Sequence, residues 1–264
     1  MTLLHILVAA LAGGVLSTLA AAATLNLQAS WIPNFVSFAV GALLGAVFLE
    51  LLPHALETAR APSVMLTVLV GLLAFFLLEK FVLWRHAHGH DPHSDDREET
   101  EHEHALHAHA PSDGGRSGLM ILIGNGVHSF CDGIVIAAAF LAGDALGVAT
   151  TLAIVSHAVP QQVGDFAVLL HSGFARGKAF AYNIAAGVAT LAGAFAAYLA
   201  LADMQQILPI VIAIAAASLL YVAVADLIPS LHRRAHPVET LKQALWIALG
   251  IAIIATAHLL LEPG

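Results

Sequence analysis

The sequence predicts an all-α, polytopic membrane protein built as one transmembrane domain over residues 1–264. Of its 264 residues, 59% are hydrophobic and only 11% are charged, whereas soluble domains carry about 25% charged residues. The apolar residues gather in runs of about 20, the length that an α-helix needs to cross the hydrocarbon core. Only ten lysines and arginines are present and they are scattered, which argues against nucleic-acid binding.

Eight apolar runs are candidate membrane-spanning helices. The first could be a signal peptide, but it begins without lysine or arginine and its apolar run is longer than such a peptide needs. Most connections are short and contain residues that favour turns, such as Asn34, Pro62, Gly143 and Gly177. The predicted helices cover 3–24, 33–56, 63–85, 118–141, 147–171, 178–200, 206–230 and 239–261.

One connection differs from the others in length and composition. Residues 86–117 contain eight of the sixteen histidines, together with many acidic residues. A segment of this composition cannot bury a core, so we expect a disordered loop. The loop could capture or sense a metal ion, or it could be a solvated linker whose histidines bind metal weakly.

The distribution of positive charge predicts the orientation. Nine of the ten lysines and arginines fall on one side of the predicted bundle, and Arg60 falls on the other. Because the positive side faces the cytoplasm, we expect both termini outside and the His-rich loop inside, in a bacterial inner (plasma) membrane. The nine residues are Lys80, Arg85, Arg97, Arg116, Arg176, Lys178, Arg233, Arg234 and Lys242.

A weak internal repeat links the second and seventh predicted helices. The segments FLELLPHAL (48–56) and VADLIPSL (224–231) share an acid, two aliphatic residues and a proline in the same order. In the predicted orientation these helices run in opposite directions. The repeat therefore predicts a 3+2+3 inverted arrangement, which many transporters use; the alternative is chance similarity between two leucine-rich helices.

Two central helices carry polar side chains at membrane depth. His128 and Asp132 lie four residues apart on the fourth helix, and His157 and Gln161 lie four apart on the fifth. Residues at this spacing share one helix face. Ionisable groups in the membrane are costly and usually functional. The two pairs therefore predict a metal site shared by two helices, whereas a single buried histidine would as readily be a packing residue.

The residue types in this site favour a transition metal. Glu50 on the second helix is the candidate for a further carboxylate ligand. Imidazole and carboxylate suit zinc and also iron, nickel and copper, whereas magnesium prefers oxygen ligands alone.

A proline and several polar residues on or near the fifth helix suggest a path for the metal ion that is lined by polar groups. Pro160 leaves the Ser156 carbonyl without its helical partner, and such a carbonyl is tolerated where it lines a cavity or meets an ion. Asp165, Asn125 and Asn183 could either line that path or form hydrogen bonds between helices, and the sequence leaves both open.

The motifs together resemble one family. HSFCDG resembles the fourth-helix HNxxDG signature of the ZIP (zinc- and iron-regulated-type) metal transporters, and HAVPQQVGDFAVLL resembles their fifth-helix HExPHELGDFAVLL. FLELLPHAL resembles their second-helix FLHLLPHA. The similarity covers the whole chain. It implies a 3+2+3 fold, usually in a homodimer, which moves zinc and related divalent ions into the cytoplasm by an elevator-like motion, with the metal as cargo and no cofactor.

Several residues depart from the family pattern at its second metal position. Neutral or small residues stand where two-metal members have stronger ligands, namely Ser129, Ala158, Gln162 and Thr190. Gln161 replaces a His or Glu of the first position, and Glu50 stands where a His is common. The resemblance then implies a one-metal site formed by His128, Asp132, His157, Gln161 and Glu50.

The sequence predicts uptake of a divalent transition metal, with zinc foremost and cadmium, iron and manganese as other candidates. Two alternatives stay open. Two histidines and an aspartate could hold zinc with an open position for an activated water, as in a metallo-hydrolase, although no HExxH motif or nearby carboxylate supplies a base. The missing ligands could also indicate a transport-inactive metal sensor.

Overall fold

The computed structural model describes residues 1–24, 31–87, 116–171, 173–232 and 237–261. Nearly all residues in these ranges are helical and none is in a strand, so the all-α prediction is confirmed. Most of the predicted His-rich loop, residues 88–115, lies outside the described residues, and its disorder and role stay predictions.

The described part of the chain forms eight long helices. Their ends agree with the predicted spans to within a few residues, because turn-forming residues bound the apolar runs. They are α1 (2–24), α2 (Ile32–Thr58), α3 (Ala61–Ala87), α4 (Arg116–Ala142), α5 (Asp144–His171), α6 (Arg176–Leu201), α7 (Leu208–His232) and α8 (Pro237–Leu261).

Seven of these helices contain a stretch that is long and apolar enough to cross a membrane. The exception is α5, which has 28 residues and the length to span. Its polar residues, among them His157, Gln161 and Gln162, lower its mean hydropathy. The membrane-protein prediction is therefore confirmed, while the count of eight spans stays a prediction that depends on α5.

Helices α2 and α7 each change from α-helical to π-helical geometry within the predicted repeat. A π-helical turn covers Ala46–Leu51 in α2, and another covers Val222–Leu227 in α7. Each turn has six residues, with the acid of the repeated motif, Glu50 or Asp226, at its fifth position. Single π turns are rare and occur often at functional sites. Their matching positions support the inverted repeat, which stays a prediction.

The helices pack in two sets, with α5 between them. Within one set α4 packs along α6, and α6 also packs on α1. Within the other, α2 packs along α8 and α3 packs on α7. The central helix α5 contacts α1 and α4 from the first set and α2 and α8 from the second. The central ligands on α5 therefore lie at the boundary between two groups of helices.

Glycines allow the closest helix contacts inside each set. A methyl group added at Gly14 of α1 would overlap the backbone of Gly187 of α6, and one added at Gly41 of α2 would overlap the backbone of Ile247 of α8. In lipid, where burial of apolar surface gives little driving force between helices, close packing of small residues is a main source of association. This explains why the helices are rich in glycine and alanine.

Gly193→Ala should destabilise the protein, because the added methyl group would overlap the backbone at Phe130 of α4. Overpacking costs about 1–3 kcal/mol, so the midpoint of thermal unfolding in detergent should fall. Gly124→Ala is the matched control, since it also lies inside a helix and its methyl group would have no neighbour within 4 Å. Equal destabilisation by both substitutions would contradict this account.

Candidate metal site

Three side chains from α4 and α5 converge on one point. The Nε2 atoms of His128 and His157 lie 3.3 Å apart. Asp132 Oδ2 lies 3.6 Å from each of these nitrogens. Among the described His, Cys, Asp and Glu side chains, these three form a group whose ligand atoms lie close enough together to share one metal ion. The structure thus brings together three of the five predicted ligands.

The spacing of these atoms matches a tetrahedral metal ion. Zinc holds four nitrogen or oxygen ligands at about 2.0–2.2 Å, which places the ligand atoms about 3.3–3.6 Å from one another. The observed separations of 3.3, 3.6 and 3.6 Å are those of one face of such a tetrahedron. The three atoms could therefore hold an ion with little movement, leaving a fourth position for another ligand or water.

A backbone contact orients His157 for this role. Its Nδ1 lies 3.3 Å from the carbonyl oxygen of Ala153, which can only accept a hydrogen bond. Nδ1 therefore donates the proton, and the lone pair of the neutral ring is on Nε2, facing Asp132 and His128. An outer partner of this kind fixes the tautomer and the plane of a metal-binding histidine.

Burial differs sharply around the cluster. The side chains of His157 and Asp132 are 1% and 8% exposed, whereas that of His128 is 27% exposed. Toward the α4–α5 turn, the cluster is followed by fully buried aliphatic side chains, including Ile136 and Ile154. An ion could therefore reach the cluster on the His128 side, while apolar packing closes the other side.

Gln161 lies one helical turn from His157 and is held by Asn125. The amide Nε2 of Gln161 donates to Asn125 Oδ1 at 3.4 Å, and the hydroxyl of Ser129 donates to the same oxygen at 3.4 Å. The donor end of Gln161 is thus engaged, which leaves its Oε1 as the atom able to face a metal. The sequence left open whether Asn125 lines a path or forms hydrogen bonds between helices, and the structure shows it bonded to Gln161 of the neighbouring helix.

Two acids come from the other helix set. Glu50 is buried on the π turn of α2, but it lies outside the three-residue cluster, so its role as a ligand stays a prediction. Asp226 lies on the matching π turn of α7. The sequence identified Asp226 only as the repeat counterpart of Glu50.

The four positions that depart from the family pattern are all buried. Thr190 lies on α6 where that helix touches Gly133 of α4, next to Asp132. No carboxylate or imidazole is present at any of these positions, which are Ser129, Ala158, Gln162 and Thr190.

Two of the residues predicted to line a path, Ser156 and Asn183, form hydrogen bonds with nearby residues. The hydroxyl of Ser156 donates to the Leu152 carbonyl at 2.6 Å, and α5 continues as an α-helix through Pro160. Asn183 is buried on α6, where its carbonyl accepts a hydrogen bond from Thr18 at 3.3 Å. A role in a path stays a prediction for Ser156, Pro160 and Asn183.

The sequence comparisons agree with the site. The family model described as ZIP Zinc transporter matches residues 1–258. The chain belongs to the ZIP zinc transporter family. This membership confirms the predicted resemblance, and since the family consists of transporters, it also confirms that the chain is not an enzyme and that metal is cargo for the family rather than a cofactor.

Three relatives illustrate the similarity. The zinc transporter SLC39A7 of Mus musculus is 30% identical, over 87% of this chain and 63% of its own length. The zinc transporter ZIP13 of Pongo abelii is 29% identical, over 88% of this chain and 68% of its own length. The zinc transporter ZIP4 of Homo sapiens is 30% identical, over 76% of this chain and 38% of its own. The chain thus spans less than two thirds of the mouse protein.

Asp132→Asn should weaken zinc binding by more than about 100-fold, because it removes the cluster's charged ligand, and even the loss of outer partners costs 10–100-fold. Isothermal titration of the purified protein with zinc measures the change. Asp144→Asn is the control, since Asp144 lies at the exposed start of α5 and contacts His5 instead. Unchanged affinity in Asp132→Asn would exclude this cluster as the binding site.

Zinc binding should also weaken as the pH falls. The two imidazoles must be neutral and the carboxylate ionised to bind a metal, so protons compete directly with zinc for all three side chains. The same titration, repeated at several pH values in one buffer system, measures this competition. An affinity that is independent of pH would mean that zinc binds elsewhere.

Proposed function

We propose that this chain carries divalent transition-metal ions, zinc foremost, across the membrane into the cytoplasm through the site formed by His128, Asp132 and His157. The observation that carries the proposal is the triangle of ligand atoms, whose 3.3–3.6 Å edges suit a tetrahedral ion. Family membership supports the same conclusion. Cadmium, iron and manganese share enough ligand chemistry to compete.

The site uses few charges, which favours one bound ion. Asp132 and Glu50 together balance the charge of one divalent ion, and neither would be stable at this depth without compensation. Gln161 supplies a neutral oxygen at the fourth position. The second-site positions offer only neutral side chains, so a second divalent ion bound beside the first and bridged by Asp132 would lack both strong ligands and balancing charge.

Movement of α5 and its neighbours relative to the second helix set would complete transport. The glycine contacts given above lie within each set rather than between them, and α5 contacts both sets. The set that holds the ligands could then shift as a body, consistent with the elevator-like motion that the resemblance implies. The buried aliphatic residues beside Ile136 and Ile154 would exclude water on the closed side.

The proposal also covers the lipid-facing surface of the bundle, the orientation of the chain and the membrane in which it lies. Exposed leucines such as Leu66, Leu69, Leu73 and Leu77 cover one side of α3, which suits contact with lipid or with a second copy in a homodimer. The distribution of positive charge supports an orientation with both termini outside. The relatives given above come from mouse, orangutan and human, so they give no support to a bacterial inner membrane, which stays a prediction from sequence.

A transport-inactive metal sensor is the second candidate, because the absent second-site ligands favour it. Such a protein would bind zinc at the same cluster without moving it. A measurement of zinc flux distinguishes a transporter from a sensor, because both would bind the ion with the same geometry.

His157→Ala should abolish zinc flux into proteoliposomes, because it removes a ligand that is 1% exposed and cannot be replaced from water. Ser129→Ala should keep most of the flux, since Ser129 only donates a hydrogen bond to Asn125. A fluorescent zinc indicator inside the vesicles measures both rates. Wild-type protein that binds zinc but shows no flux would favour the sensor, and equal flux in His157→Ala would refute the proposed site.

Crystals grown with zinc should show one strong anomalous peak between α4 and α5. The peak should lie within about 2.2 Å of His128 Nε2, Asp132 Oδ2 and His157 Nε2. Two fully occupied peaks bridged by Asp132 would contradict the one-metal proposal without affecting transport itself.

A further inference from the structure

A polar stripe continues along α5 beyond the central cluster. His157, Gln161 and Asp165 follow one another at intervals of four residues, so they share one face of the helix. Asp165 lies about 12 Å from His157 along the helix axis, at 1.5 Å per residue. The stripe leads toward the C-terminal end of α5, which the charge distribution predicts to be the cytoplasmic end.

Two side-chain oxygens near the end of this stripe lack partners. Gln162 Oε1 and Asp165 Oδ2 are both buried, and neither has a hydrogen-bond partner among the described residues. The Gln162 side chain lies in a residue that is 3% exposed. The two residues are three positions apart, so their side chains are neighbours on the helix surface.

Asp165 as a whole is partly exposed, but a buried carboxylate oxygen without a partner is unfavourable, since such an atom is normally paired, hydrogen-bonded or bound to a metal. Among the ion pairs of the described residues, none includes Asp165. The amide oxygen of Gln162 cannot help a carboxylate, because both oxygens only accept hydrogen bonds. Amide and carboxylate oxygens are, however, both cation ligands.

We infer that Gln162 and Asp165 form a second, oxygen-only cation site, through which the transported ion passes between the central cluster and the cytoplasmic end of α5. The inference rests on the proposed function, because transport supplies the cation. Oxygen ligands alone bind transition metals less tightly than imidazole and suit hard ions such as Mn²⁺. A weak site of this kind would accept the ion from the histidines and release it readily.

Manganese binding tests the site apart from transport. In a background in which His128, Asp132 and His157 are replaced by alanine, asparagine and alanine, the purified full-length protein should still bind one Mn²⁺, measured by electron paramagnetic resonance. Adding Asp165→Asn should remove this binding. Absence of bound Mn²⁺ in the background protein, or undiminished binding after Asp165→Asn, would overturn the inference.

Zinc kinetics in the otherwise wild-type protein give the second test. Asp165→Asn should lower kcat for zinc flux by about tenfold, the effect expected when a metal-binding partner is lost, while the zinc affinity of the central cluster stays unchanged in titration. Unaltered kcat would overturn the inference. Asp144→Asn, which removes a charge from the exposed start of the same helix, should change neither quantity.

Controls keep this result separate from folding and from transport. Size-exclusion profiles and melting curves show whether each variant is folded. If Asp165→Asn fails to fold, Asp165→Glu takes its place, and it should retain Mn²⁺ binding because it keeps the carboxylate. Failure of the proposed function would appear as absent zinc flux in the wild type, whereas failure of the second site would appear as unaffected Mn²⁺ binding or flux in Asp165→Asn.

Discussion

The carboxylate of Asp132 lies between two imidazoles, in a part of the protein that water hardly reaches. A charge at membrane depth must be compensated, and this requirement constrains the surrounding structure. It requires that α4 and α5 keep a fixed rotation toward each other, so that residues separated by 29 positions in sequence meet at 3.3 Å. It also explains why the polar residues of α5 face protein rather than lipid.

Close packing makes that rotation possible. On the side of α4 away from the ligands, Gly133 and Gly193 bring α4 and α6 together so tightly that a methyl group at either position would overlap the opposite backbone. Glycine packing thus fixes α4 next to Asp132, and it does so without any polar contact that would compete for the carboxylate.

The sequence predicts the helices well because each apolar run is bounded by turn-forming residues and needs a fixed length to cross lipid. It also identifies the cluster, because His128 with Asp132 and a second polar pair on α5 share helix faces by spacing alone. The hydrogen bond between Gln161 and Asn125, the π turns at Glu50 and Asp226, and the unpartnered oxygen of Asp165 depend on how helices pack. Spacing within one helix cannot determine those contacts.

The missing second-site ligands are better understood as a coordinated change than as decay. Loss of one carboxylate from a two-metal centre would leave the other ligands buried without a cation, which is costly. Here Ala158, Gln162 and Thr190 are all uncharged and buried, so no acid remains stranded at that position. Asp132 keeps two imidazole neighbours. The pattern agrees with the proposed one-metal site, because the second position contains no buried acid that a second ion would have to compensate.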